Sequence, residues 1–186
     1  VEAQSGLSAY AQFDQLAENA PETCDGLTFI PHMLGQRSPH FNPYARGAFI
    51  GLRRSHTRSH LFRSLLEAWG YTIRYGLENY YPQGHPLKRL IATGGGARSR
   101  LWRQIVTDIT KIPQEYAPNA EGAIADAYLA GMALGCFDTL EVFKERWLPV
   151  GEIILPQPDK SEIYEEGYSR FVRIHEILEP LFRSER

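Results

Sequence analysis

Apolar positions along this chain recur with two periods. In residues 5–20, Tyr10, Phe13, Leu16 and Ala17 fall at helical spacing with Asp14, Gln15 and Glu18 between them, and Pro21 closes the segment; this predicts a helix. The same period runs longer in residues 57–80, where Leu61, Leu65, Ala68, Trp69, Thr72, Ile73, Tyr75 and Leu77 form one broad apolar face ended by Pro82 and Gly84. Gly70 and Gly76 each lower the intrinsic stability of such a helix by about 1 kcal/mol relative to alanine, which points to close packing on a neighbour. Residues 99–110, with Leu101, Ile105, Val106 and Ile109 on one side, predict a third helix. Residues 139–147 and 159–182 predict two more, the last carrying Ile163, Tyr164, Tyr168, Phe171, Ile174, Ile177 and Leu178. Residues 121–135 are helical in another manner: Ala123, Ala127, Ala130, Gly131 and Ala133 predict tight packing against another backbone.

Short apolar runs predict the strands. Leu27-Thr28-Phe29-Ile30 stops at Pro31, residues 88–93 hold the buried run Leu90-Ile91-Ala92, and residues 112–116 follow. Residues 149–158 read as extended. Between Pro31 and Leu52, three prolines and three glycines argue for a long irregular connection, and long ordered loops are commonly functional. No internal repeat or low-complexity segment is present. The strand–helix alternation from 88 to 135 predicts an α/β architecture with helices packed on a sheet. The strands are too few to complete a good sheet, and the chain opens on Val1 without a methionine. Residues 1–186 are therefore expected to be one domain cut from a longer protein, with its first strands missing.

Composition narrows the classes. With 43% hydrophobic and 23% charged residues the chain reads as an ordinary globular domain. A formal net charge of -2 gives no electrostatic case for nucleic acid or an anionic membrane, and the apolar runs are too short to span a bilayer. Two cysteines, Cys24 and Cys136, are too few for a disulfide framework; they are expected as small buried hydrophobes of a cytoplasmic protein. Among six histidines only His56 and His60 have a ligand-like spacing, with no acidic residue in that motif, so no metal site is expected. Arg53, Arg54, Arg58 and Arg63 read as a solvated basic face, and Asp108 and Asp126 as solvated or packing residues on helices.

The candidate chemistry sits at Leu90-Ile91-Ala92-Thr93-Gly94-Gly95-Gly96-Ala97-Arg98-Ser99. A strand, a three-glycine turn and a helix start let a ligand approach the main chain and meet free N–H groups. Three readings compete. One is a tight turn with no ligand. Another is a dinucleotide turn of an NAD-dependent oxidoreductase, with Ser99 in place of the last glycine and Glu115 as the ribose-binding acid. The third is the adenosine-binding turn of an ATP-dependent phosphotransferase, without the Gly-Lys-Ser/Thr of a Walker A loop.

The residues that separate them lie elsewhere. Gly35-Gln36-Arg37-Ser38-Pro39-His40, then Asn42 to Leu52, then His60 to Glu67, then Gly94 to Gln104, Asp108-Ile109-Thr110 and the small-residue helix 121–135 stand in a characteristic order. This pattern resembles the carboxy-terminal lobe of the FGGY-type carbohydrate kinases, nearest to their xylulokinase or pentulose-kinase branch, over roughly residues 1–180. The resemblance implies an α/β, ribonuclease-H-like (actin-like ATPase) lobe with a mixed sheet flanked by helices. It implies transfer of the γ-phosphoryl group of ATP, with Mg2+, to a hydroxyl of a small sugar such as xylulose or ribulose. Gly94, Gly95, Gly96 and Ala97 would then lie along the adenosine, Ser99 near the base, Gly6 near the phosphates, and residues 31–39 at the nucleotide-side wall or the hinge.

The same resemblance places the catalytic aspartate and the phosphate loops in an amino-terminal lobe, so no catalytic residue is assigned in this chain. Apolar surface left open by that missing lobe is expected to favour a homodimer of the isolated chain. Gln36 stands where the family often has glutamate, and Ala125-Asp126-Ala127 where it usually has Gly-Ala-Ala, which leaves the sugar open. A non-catalytic actin-like nucleotide-binding module is the alternative reading.

Overall fold

The fold is described from a computed structural model, over residues 8–81, 87–118, 120, 122–137, 139, 141 and 151–183. Helix α1 (Ala9–Glu18) begins where Ser8 Oγ accepts the Ala11 N–H at 3.2 Å, four residues after the predicted start. A 3-10 turn (Glu22–Gly26) leads into strand β1 (Thr28–Ile30). Strand β2 (Ala48–Ile50) pairs with β1 antiparallel, Phe29 facing Phe49. It lies inside the stretch expected to be wholly irregular, and pairing across the long connection, with the two rings 4.5 Å apart, is what makes it a strand.

Helix α2 (Arg58–Tyr80) has the predicted extent, and its entry is fixed by a reciprocal cap between Thr57 and His60. The breakers Pro82 and Gly84 lie outside the described residues. Strand β3 (Leu90–Ala92), a 3-10 turn (Gly96–Arg98), helix α3 (Arg100–Thr110) and strand β4 (Gln114–Tyr116) follow. Lys111, at φ 59°, ends α3 in the left-handed conformation. Helix α4 (Gly122–Ala133), strand β5 (Ile153–Ile154) and helix α5 (Pro158–Arg183) complete the order. The helix expected at 139–147 falls outside the described residues except for 139 and 141.

The strands form two sheets rather than one. β1 and β2 make a ribbon; β3, β4 and β5 make a mixed sheet with β4 central, parallel to β3 and antiparallel to β5. Pro113 does not disqualify β4 from the centre. It stands just before the strand, and its carbonyl accepts the Leu90 N–H at 2.8 Å. The parallel β3–α3–β4 unit is the α/β element that the alternation predicts.

The main core lies where α2, α3 and α5 meet: Ile30, Tyr71, Ile105, Ile109, Tyr164, Tyr168 and Phe171. Gly70 makes this possible, because a Cβ there would stand 2.6 Å from Cδ1 of Ile109. Gly70→Val is therefore expected to destabilise the domain by about 1–3 kcal/mol through overpacking. Gly76→Ala, with only Ser38 Oγ at 4.0 Å, serves as the tolerant control. Thermal denaturation of both variants checks the contrast.

Four expectations need correction. β3 is not a buried strand: Ile91 is 54% exposed, in one row with Glu115 and Ile153, a row that the described residues leave largely open. Helix α4 is not tightly packed: among its described residues only Tyr128 is buried, while Leu129 is 57% exposed. Among the described residues it makes a close approach where Gly131 meets the Phe137 ring, which stacks on Tyr128. Cys24 is buried as expected, and burial pushes its thiol pKa up, but Cys136 is exposed. Arg63 belongs to no solvated face; it is buried, with its guanidinium inside a polar network. No described helix is long and apolar enough to cross a membrane.

Candidate nucleotide-binding site

The glycine turn stands at the carboxyl end of β3. The Ala117 N–H donates to the Ala92 carbonyl at 2.9 Å, and the Thr93 hydroxyl donates to the Ala120 carbonyl. The turn after β3 is thereby tied to the turn that follows β4. This is the position, outside the carboxyl ends of parallel strands, where open α/β sheets take ligands.

Each residue of the turn has a distinct reason to be what it is. Gly94 has φ +81°, a left-handed conformation that favours glycine. Gly95 has φ -62° and ψ -44°, which any residue adopts, and no atom lies within 4 Å of where its Cβ would stand. Gly96 meets only the Trp102 ring, at 3.8 Å. Ala97 is 1% exposed and anchors the turn inward. The N–H groups of Arg98 and Ser99 donate to the carbonyls of Gly95 and Gly96 at 3.2 Å each, closing the 3-10 turn.

Ser99 has a structural task. Its Oγ accepts the Trp102 N–H at 3.0 Å and caps α3. That bond leaves the hydroxyl proton for another acceptor. The first turn of α3 is held to β5 by Glu152, which accepts from Arg100 Nε at 2.8 Å and from Arg103 Nη2 at 3.0 Å. These two arginines keep the Glu152 carboxyl below its ordinary pKa. Thus Gly94, Gly95, Gly96, Ala97 and Ser99 come together in one turn, whereas Gly6 lies outside the described residues. Thr93 escaped the sequence reading because its partner, Ala120, is reached only across the sheet.

The dinucleotide reading fails on geometry. Both oxygens of Glu115, the acid it needs for a ribose, accept from Arg89 Nη1 at 2.8 and 2.9 Å. Ser99, standing for the third glycine, is a helix cap instead of a close helix–strand contact.

Other candidates are accounted for locally. Asp108 is buried, and its Oδ1 accepts from the Gln157 N–H at 2.8 Å and Gln104 Nε2 at 2.9 Å, which fixes the start of α5. Burial pushes the Asp108 carboxyl up in pKa. Asp126 is exposed. His60 does acquire an acidic neighbour by folding, Asp25 Oδ2 at 3.3 Å from Nε2. Among the described residues no three His, Cys, Asp or Glu side chains converge as a metal site.

A mixed sheet with helices packed on it and an open glycine turn at the carboxyl end of β3 agrees with the ribonuclease-H-like, actin-like ATPase class, the fold of the sugar kinases on which this chain superimposes. Known proteins carry the assignment further. Residues 2–134 match the FGGY family of carbohydrate kinases, C-terminal domain. The xylulose kinase of Staphylococcus epidermidis is 30% identical over 174 residues, 93% of this chain and 35% of its own length. The gluconokinase of Bacillus subtilis is 31% identical over 183 residues, 94% of this chain and 34% of its own. The crystal structure of xylulose kinase from Rhodospirillum rubrum superimposes with a TM-score of 0.81 at 37% identity, covering 97% of this chain and 36% of that one. The chain belongs to the FGGY family of carbohydrate kinases. It spans about a third of the length of the relatives it matches.

Proposed function

We propose that residues 1–186 are the carboxy-terminal, nucleotide-binding lobe of an ATP-dependent sugar kinase. One observation carries the role of the turn. Gly95 has an ordinary backbone conformation and open space where a side chain would go, so nothing among the described residues calls for glycine there. A ligand lying against the main chain does. In this reading Gly94, Gly95, Gly96 and Ala97 line the adenosine, Ser99 offers its hydroxyl proton to the base, and Gly6 lies near the phosphates.

Mg2+ bound with ATP would supply positive charge to the phosphates during transfer of the γ-phosphoryl group to a sugar hydroxyl. The chain's own contribution is to bind and orient the nucleotide, since effective phosphoryl transfer rests on positioning. The carboxylate that accepts the hydroxyl proton comes from an amino-terminal lobe of the same protein. The acceptor is a ketopentose, xylulose or ribulose. Gluconate is the second candidate, favoured by the gluconokinase likeness.

The full-length protein is expected to release ADP from Mg-ATP only when an acceptor is present, in a panel of xylulose, ribulose and gluconate. ATP turnover equal with and without every sugar would reject the kinase in favour of another nucleotide-dependent module. Calorimetric titration showing NAD binding without ATP binding would reject the nucleotide assignment itself.

A further inference from the structure

The loop from Pro31 to Gly47 meets α5 at a buried pair of rings, His32 and His175. Nε2 of His175 lies 2.9 Å from Oε1 of Gln36. Gln36 donates its own Nε2–H to the Ser38 carbonyl at 3.2 Å, so Oε1 is the acceptor and His175 Nε2 carries the proton. The base of the loop closes at the same residue: Gln36 and Asn42 exchange both backbone hydrogen bonds at 2.8 Å. His32, just after β1, packs edge-on against His175 with ring centroids 5.2 Å apart.

Two nitrogens of this pair are orphaned. His32 Nε2 and His175 Nδ1 are buried without a hydrogen-bond partner, and the rings are 7% and 6% exposed. The space between them is bounded by Ile30, Ala45, Leu178 and Phe182 and does not admit a water molecule. The groups around His175 are His32 and His40 from the loop, Glu176 and Glu179 from its own helix, and the Tyr75 ring of α2 at 5.3 Å. The two carboxylates favour a cation and His40 opposes it, but burial outweighs them and lowers the pKa of His175. Burial, with His175 as a like-charged neighbour, pulls His32 down to about 4.

We propose that His32 and His175 form an acid-released latch: neutral, they hold the 31–47 loop to α5, and protonation of the pair frees the loop while the helical core stays folded. The sign follows from linkage. Both histidines titrate lower in the folded chain than in the unfolded one, so closure is complete above the ordinary histidine value of 6.5 and is lost as pH falls from there toward about 4. The inference stands on the loop's own contacts and does not depend on the kinase reading.

Hydrogen exchange of the full chain tests it, with rates corrected for intrinsic pH dependence. Between about pH 7 and pH 5, protection of the Gln36 and Asn42 amides should fall by roughly tenfold or more, since His32 alone contributes up to about tenfold per pH unit between 6.5 and about 4. The amides of Ile105 and Ile109 should hold. In His32→Phe/His175→Gln, which keeps an amide donor toward Gln36 and cannot charge, the loop-specific loss should disappear. The proposal is overturned if wild-type loop protection is flat over this range, if it falls only together with Ile105 and Ile109, or if the double variant loses it as the wild type does. Should the double variant not fold, the loop-against-core contrast in the wild type decides alone.

Discussion

Gly95→Val in the full-length protein is expected to leave the fold intact and weaken ATP binding by tenfold or more, about 1.4 kcal/mol. The argument is a separation of two demands on a glycine. At φ -62° and ψ -44°, with nothing among the described residues within 4 Å of its Cβ position, Gly95 has room for a side chain in this domain. Gly95→Ala should even hold or raise the melting temperature, by about 0.4–1 kcal/mol of reduced unfolded-state entropy. Gly94 is the opposite case. Its φ of +81° makes Gly94→Ala destabilising by about 1–2 kcal/mol with no ligand present. Paired melting and ATP titrations of the three variants thus read fold and ligand separately. Wild-type affinity in Gly95→Val would remove the reason for placing adenosine on this turn.

What the chain disclosed before folding follows the range of the interactions involved. Helices α2, α3 and α5 were legible because their apolar faces repeat within a few residues, and the start of α2 was legible to within a residue. The glycine turn was legible for the same local reason. Strand β2 was not, because its three residues are a strand only through pairing with β1 across a connection full of proline and glycine. The buried state of Arg63 was hidden too: its partners Ala20, Glu22 and Tyr164 converge from three segments. Small residues in α4 announced close packing that the described residues do not supply, since alanine is equally at home in an exposed helix. For the candidate site, Thr93 and the Arg89–Glu115 pair needed the sheet register before they meant anything.

Glu67→Ala should be the most damaging single substitution in the domain, at about 3–5 kcal/mol. Glu67 is 2% exposed in the middle of α2. Its Oε1 accepts from Arg63 Nε and from the Thr23 N–H at 3.0 Å each, and its Oε2 accepts from the Tyr71 hydroxyl at 3.4 Å. Arg63 in turn donates to the Ala20 carbonyl at 3.1 Å, to Glu22 Oε1 at 3.3 Å and to the Tyr164 hydroxyl at 2.8 Å. The network therefore binds α2 to the end of α1, to α5 and to the 3-10 turn. That turn needs holding: Thr23, Cys24 and Asp25 have φ of 59°, 50° and 50°, a left-handed run that costs about 1–2 kcal/mol per residue. Removing the carboxylate leaves the Arg63 Nε–H, the Tyr71 hydroxyl and the Thr23 N–H that fixes the strained turn without their acceptor. A domain with about 5–15 kcal/mol of total stability loses a large share of it. Glu67→Gln keeps an acceptor and the volume, so its urea midpoint should fall between those of wild type and Glu67→Ala. Arg63→Met gives the test a pH signature. Burial already pushes Glu67 up to about 7 against the pull of Arg63. Without that pull the carboxyl titrates higher still. A folded pKa above the unfolded value means stability is present in acid and lost as pH rises above about 4.5. Urea midpoints of Arg63→Met that fall with rising pH, beside a wild type that changes less, are the expected outcome; a Glu67→Ala loss under about 1 kcal/mol would show that the turn and the three helices are held by packing instead.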